Sequence, residues 1–208
     1  MLNDQILEKA IRVLRNGGVV IFPTETVYGI GVMPFEKDAI ERVYDIKKRS
    51  HSLPLTLHIS SFEFIRQHAD ILSSRVEEFL NKVLPGPVTA ILPRSTSSPF
   101  YPELKTLGFR FPADDIAVEI IAGVGGILLA TSVNISGAQP AANLIDAPKE
   151  ILNSVDYVVD TGQTRYKTPS TICNLSTGIP TIMREGVIKA KKLFEIWEQC
   201  GKIDEQQM

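Results

Sequence analysis

Four basic side chains stand where regular elements should end: Lys47 and Arg49 in Lys47-Lys48-Arg49, Arg110 in Leu107-Gly108-Phe109-Arg110-Phe111-Pro112, and Arg184 after Thr181-Ile182-Met183. A guanidinium grips carboxylate or phosphate with a planar fork, and an ammonium acts as a point charge, so the four are candidates for an anion site. Taken singly, each is served as well by solvent or a surface ion pair. Arg110 stands out because an alternating strand points it away from the face of Phe109 and Phe111.

Short hydroxyl and amide side chains cluster in three places: Thr24-Glu25-Thr26 after Pro23, Ser132-Val133-Asn134-Ile135-Ser136-Gly137 after the run Ile127–Thr131, and Ser170-Thr171. The second cluster lies where a buried strand emerges into a loop, a favoured place for ligands in α/β sheets, although Ser132 and Asn134 could equally make turn bonds to backbone. No Gly-x-Ser-x-Gly elbow surrounds a serine, no Walker A or properly spaced dinucleotide fingerprint occurs, and Gly123-Val124-Gly125-Gly126 is only a weak glycine cluster. A phosphate site must therefore rely on side-chain cations. Of the three histidines, His58 lies in the alternating stretch Leu55-Thr56-Leu57-His58-Ile59, while His51 and His68 read as loop or helix-surface residues.

The elements that must position these groups are legible from periodicity. Ile6, Leu7, Ala10, Ile11 and Leu14 recur at helical spacing before Gly17-Gly18, and Val19-Val20-Ile21-Phe22 reads as a buried strand feeding the loop Pro23–Gly29. Asp38 and Glu41 suggest a capping box opening a second helix, on which Ile40, Val43, Tyr44 and Lys47 share the inward face. Further strands are expected at 55–59, 88–92, 107–111, 127–130, 157–159, 171–175 and 181–183. Helices are expected at 73–83, 115–121, 147–152 and 190–199, the last with Ala190, Leu193, Phe194 and Trp197 on one side. This alternation indicates an α/β sheet. Arg94-Ser95-Thr96-Ser97-Ser98-Pro99 reads as a mobile loop, and no linker divides the chain.

At 208 residues, 44% hydrophobic and 22% charged, the chain has the composition of one well-cored globular domain. A net charge of −2 supplies no global field for polyanions or anionic lipid, so an anionic ligand must meet a local basic site. Two cysteines without metal-ligand spacing support neither a disulfide framework nor a zinc centre. With no leader-like amino terminus and no stretch approaching 18 apolar residues, a cytoplasmic location without membrane contact is expected.

Pro23-Thr24-Glu25-Thr26-Val27-Tyr28-Gly29, Lys47-Lys48-Arg49, Pro54–His58, Pro85-Gly86-Pro87-Val88-Thr89, Arg110-Phe111-Pro112, Ser132-Val133-Asn134 and Pro169-Ser170-Thr171 together resemble, in composition and order, the YrdC-like family. The similarity spans about residues 5–190 and includes that family's Lys-x-Arg and Ser-x-Asn signatures. The resemblance implies a single domain over 1–208, of the short TsaC type without a further C-terminal domain, with a twisted mixed sheet and flanking helices around a large open cavity. It implies a nucleotidyltransferase forming threonylcarbamoyl-AMP and pyrophosphate from L-threonine, bicarbonate or CO2, and ATP with Mg²⁺. The product would pass to a separate transferase complex that modifies tRNA, and a weak contact with tRNA or another RNA belongs with these partners.

Carried over by position, the resemblance gives Thr26, His58, Arg110, Ser132 and Ser170 to threonine, and Arg49, Thr106, Asn134 and Arg184 to ATP. Lys47 and Arg49 would be catalytic, Lys47 placing its charge near the phosphates or the carbamate, and no protein ligand for a metal is assigned. Two positions depart from the family pattern: Leu53 stands where active relatives commonly carry Asn or Lys, and the stretch around Ala142 lacks a Ser or Thr that often touches nucleotide. The alternative is a paralogue that binds RNA or ribosomes without synthase activity.

Overall fold

The computed structural model describes residues 4–201. Helix α1 (Asp4–Arg15) buries Leu7, Ala10 and Leu14 and ends where Gly17 takes a positive φ of 77°. Then come β1 (Val20–Phe22), β2 (Gly29–Val32), α2 (Lys37–Lys47), β3 (Thr56–Ile59), α3 (Glu63–His68), α4 (Ser74–Val83), β4 (Val88–Pro93) and β5 (Thr106–Arg110). The chain continues through α5 (Asp115–Gly123), β6 (Ile127–Ser132), a 3-10 turn at Leu144–Asp146, α6 (Lys149–Leu152), β7 (Tyr157–Val158), β8 (Thr171–Asn174), β9 (Thr181–Arg184) and α7 (Ala190–Gln199). Ser73 and Asp114 cap α4 and α5 by accepting from the N–H groups of Val76 and Ala117.

Among the described residues, nine strands join one mixed sheet in the order β7-β1-β2-β6-β3-β5-β4-β8-β9. Pairing is parallel for β1/β7, β3/β5 and β4/β8 and antiparallel elsewhere. One face carries Ile21, Ile30, Leu57, Leu129, Phe109, Ala90 and Cys173, packed with Val43 and Tyr44 of α2, Phe79 and Leu80 of α4, and Leu193 and Trp197 of α7. The other face is apolar only toward one end, where Val20, Phe22, Leu128 and Ala130 meet Leu7, Ala10 and Leu14 of α1 and Ala117, Ile120 and Ile121 of α5. Over β3, β5, β4 and β8 that face carries Thr56, His58, Thr106, Gly108, Arg110, Thr89, Ile91, Pro93, Ile172 and Asn174, a mostly polar set. The expected α/β class, with helices on both sides of a mixed sheet, is the observed one.

Several local expectations differ. Helix α2 starts at Lys37 after Glu36, which makes no side-chain cap bond, so Asp38 sits in the first turn rather than capping it. The end of the expected Pro23–Gly29 loop opens β2 at Gly29, and the glycines of that strand serve packing: a Cβ on Gly31 would lie 2.6 Å from Leu128 and 2.8 Å from Phe22. The helix expected from Ala147 begins at Lys149 after Pro148, and Phe194 of α7 is exposed while Leu193 and Trp197 are buried. The serine-rich loop is tied down: Arg94 donates to the carbonyls of Ser95, Ser98 and Leu104, and Ser98 is buried.

Candidate active site

Strand register builds the site as a row. His58 pairs with Arg110, Arg110 with Thr89, Thr89 with Ile172, and Ile172 with Arg184, so five residues from β3, β5, β4, β8 and β9 lie side by side on the partly uncovered face. All five line one cavity of about 160 Å³, with Thr26, Tyr28, Arg49, Ser132 and Ser170 among its other walls. A register shift between Ile172 and Cys173 lets β9 fit Met183 in as an extra residue, so Arg184 rather than Met183 stands opposite Ile172. With strands about 4.8 Å apart, the three spacings from Arg110 to Arg184 separate their backbones by about 14 Å. The cavity thus has a cation toward each end of its floor and the uncharged Thr89 and Ile172 between them.

Arg110 is only 2% exposed and its Nη2 donates to Glu25 Oε1 at 2.7 Å, while Nη1 donates to Val88 O at 3.3 Å. Burial lowers the guanidinium pKa and Glu25 opposes that shift, so the buried charge persists because it is paired. The loop carrying Glu25 is fixed by its own hydroxyls: Thr24 Oγ1 donates to Val27 O at 2.6 Å and lies 2.8 Å from Thr26 Oγ1. Thr164 Oγ1 donates to the carbonyl of Thr26 and the Tyr166 N–H to that of Glu25, both from the segment that follows β7.

Lys47 reaches under the cavity wall. Its side chain is 1% exposed, and Nζ donates to Ser132 O, to Asn134 O at 2.6 Å and to Asn134 Oδ1 at 3.1 Å. Asn134 Oδ1 also accepts from Ser132 Oγ at 2.6 Å, and its Nδ2 donates to Ile135 O and Ala138 O at 2.8 Å. The amide of Asn134 is therefore fully used inside the protein. Burial first, then the charge of Arg49, push the Lys47 ammonium down to about 7, against three acceptors that favour its charged form.

Arg49 lines the cavity with Nε on Leu53 O at 2.9 Å and Nη2 on Pro54 O at 3.1 Å. At position 53 it is thus the carbonyl that matters to Arg49, since the Leu53 side chain is 48% exposed. Arg184 Nη2 donates to Ser170 O at 2.9 Å, and Ser170 Oγ lies 2.8 Å from Thr89 Oγ1. His58 Nδ1 lies 3.3 Å from Thr56 O, a contact that uses the N–H tautomer and leaves Nε2 as an acceptor. Burial, and then the Arg110 charge, push His58 down to about 3, so it is neutral at physiological pH.

Of the residues singled out by sequence, Thr26, Arg49, His58, Arg110, Ser132, Ser170 and Arg184 are brought to the cavity. Lys47 and Asn134 stand behind its wall, and Thr106 lies outside it, four residues before Arg110 on β5 and opposite Pro93. Ala142 borders a different hollow with Gln139, Pro140 and Asp146. The Glu25 carboxylate is the functional group whose role the sequence does not signal, because its pairing with Arg110 spans 85 positions and leaves no local pattern. Among the described residues no cluster of three or more His, Cys, Asp or Glu could hold a metal ion, and no helix is long and apolar enough to cross a membrane.

A profile of the Sua5/YciO/YrdC family, described as telomere recombination, matches residues 12–186, and the chain belongs to that family. It is 30% identical over 201 residues to the threonylcarbamoyl-AMP synthase of Pyrococcus abyssi, covering 94% of this chain and 59% of that protein. It is 33% identical over 173 residues to the threonylcarbamoyl-AMP synthase of Nitrosococcus oceani, covering 81% of this chain and 92% of that one. The crystal structure of P. abyssi Sua5 complexed with L-threonine superposes with a TM-score of 0.86 at 29% identity, over 94% of this chain and 58% of that chain. The chain therefore spans about three-fifths of the length of the Pyrococcus relative.

Proposed function

We propose that the chain condenses L-threonine, bicarbonate or CO2, and ATP into threonylcarbamoyl-AMP with release of pyrophosphate. The observation that carries this reading is the registered row with Arg110 and Arg184 about three strand spacings, or about 14 Å, apart. It suits a pair of anionic substrates that must meet end to end. Similarity to two synthases and to a threonine-bound structure supports the choice of threonine as the amino acid.

In this reading the amine of threonine adds to CO2, forming an N–C bond and losing a proton to solvent. The carbamate oxygen then attacks the α-phosphorus of ATP as the bond to the bridging oxygen breaks and pyrophosphate leaves. The nucleophile is already an anion, so the protein needs no nucleophilic side chain; it has to align the two substrates and offset charge on the phosphates. Arg110 receives the threonine carboxylate, with Thr26, Ser132, Ser170 and the acceptor nitrogen of His58 around the rest of the amino acid. Arg49 and Arg184 face the phosphates. Lys47 acts through the backbone it holds: it fixes Ser132 at the wall and leaves the reacting atoms to the arginines.

The lining supplies hydroxyls and cations and, among the described residues, no carboxylate, so Mg²⁺ fits as an ion carried by the triphosphate and not as a side-chain-held one. At about 160 Å³ the cavity is small beside the roughly 300–1,000 Å³ of common small-molecule sites, so it accommodates the reacting ends while the nucleoside extends past its mouth. The adenylate would then be consumed by a separate tRNA-modifying transferase. Mass spectrometry of reactions containing ¹³C-bicarbonate tests the reading. A threonylcarbamoyl adenylate carrying one ¹³C should form with the native protein and fall at least tenfold with Arg49→Ala; absence of the labelled product from the native protein would refute it.

A further inference from the structure

Glu25 takes no part in the proposed chemistry, yet it is the most deeply committed carboxylate near the cavity. It is 3% exposed, Oε1 accepts from Arg110 Nη2 at 2.7 Å and from the Ala113 N–H at 3.1 Å, and Oε2 is buried without a hydrogen-bond partner among the described residues. A carboxylate kept only to tie β5 to the loop after β1 would be expected to satisfy both oxygens, because a buried acceptor left unpaired has lost its water without compensation. Replacing a buried ion pair by apolar side chains is often neutral or stabilising, so stability alone gives little reason for the pair. Its distinctive effect is on Arg110. The bonds to Glu25, Val88 O and, more weakly, Thr26 Oγ1 at 3.5 Å engage three of the five guanidinium N–H groups and leave two for a ligand in the cavity that Arg110 lines.

Resting on the threonine-dependent synthase reading, the geometry points to Glu25 as the positioning residue for amino-acid recognition: it holds the Arg110 fork from behind and offsets part of its charge, so the substrate carboxylate meets an oriented, partly neutralised guanidinium. Two consequences separate this from a merely structural ion pair. Removing the charge while keeping the acceptor should strengthen carboxylate binding, and removing the acceptor should weaken it. Both effects should spare ATP, whose proposed contacts at Arg49 and Arg184 make no bond to Glu25.

The test measures threonine and ATP dissociation constants by calorimetry, together with KM and kcat from pyrophosphate release, for the native protein, Glu25→Gln and Glu25→Ala. Glu25→Gln should lower the threonine constant threefold or more, and Glu25→Ala should raise it at least tenfold, each with the ATP constant moving less than twofold. If Glu25→Ala does not fold, the direction of change in Glu25→Gln decides alone. An unchanged or raised threonine constant in Glu25→Gln, or parallel shifts for threonine and ATP, overturns the assignment. Native protein that neither binds threonine nor releases pyrophosphate sinks the synthase reading itself, an outcome distinct from normal native behaviour with unresponsive Glu25 variants.

Discussion

His58 shows how one side chain reports on the site's electrostatics. It stands beside Arg110 in the row and packs edge-on against Phe22 with ring centres 6.1 Å apart, so its neutral form is favoured down to about pH 3. Because that value lies below the unfolded 6.5, the unfolded chain binds more protons between the two. The associated stability is complete above pH 6.5 and lost as pH falls toward 3. Relative to a His58→Gln variant, the native protein should lose up to about 2 kcal/mol between pH 6.5 and 4.5, read from urea midpoints. Parallel curves for the two proteins would show that His58 does not titrate in this way. In the sequence His58 was visible as an alternating strand residue, but nothing local showed that a residue 52 positions away would lie against it in register.

At the scale of elements, α2 and the Ser132–Asn134 turn act together through Lys47. The inward direction of Lys47 was legible because it continues the stripe of Val43 and Tyr44, and it is buried as they are. What it meets was not legible, since both partners lie more than 80 positions away. Lys47→Met should leave the carbonyls of Ser132 and Asn134 without this donor, destabilise the fold by about 2 kcal/mol and, because Ser132 lines the proposed threonine site, weaken threonine binding at least tenfold. The native ammonium near 7 lies below its unfolded 10.5, so its contribution makes stability rise with pH between those values. Denaturation at pH 7.5 and 9.5 should show a gain of up to about 2 kcal/mol in the native protein relative to Lys47→Met.

The open face of β5 offers a second element-scale test. A Cβ on Gly108 would meet only Thr56 and Thr89 atoms at 3.7–3.9 Å, which is ordinary contact, so Gly108→Val should keep or raise the melting temperature. Its methyl groups would crowd the floor between those threonines, both of which line the cavity, and should raise the threonine KM several-fold. Strand β2 escaped sequence reading for the converse reason. Gly29-Ile30-Gly31-Val32 looks like a loop to β propensity, yet the glycines are needed where Phe22 and Leu128 press on the sheet.

Across the whole molecule, a chain of net charge −2 concentrates Arg49, Arg110 and Arg184 on one cavity, with Lys47 behind its wall and Glu25 the buried countercharge. Hydrophobic period and the alternation of strands with helices were enough to reach the α/β class and most element positions. The site itself depends on sheet order and register, which bring residues 58, 89, 110, 172 and 184 into one line and cannot be read from local pattern. The family motifs drew most of these residues together in advance; Thr106 and Asn134, which the resemblance gives to ATP, lie outside the cavity lining, on the side toward which the nucleoside would have to extend if they contact it. The central claim is that this row joins an amino acid, a one-carbon unit and ATP. Pyrophosphate release measured with each of L-threonine, bicarbonate and ATP omitted in turn tests it most directly: release should require all three, and release that persists without threonine, or none with all three present, would contradict it.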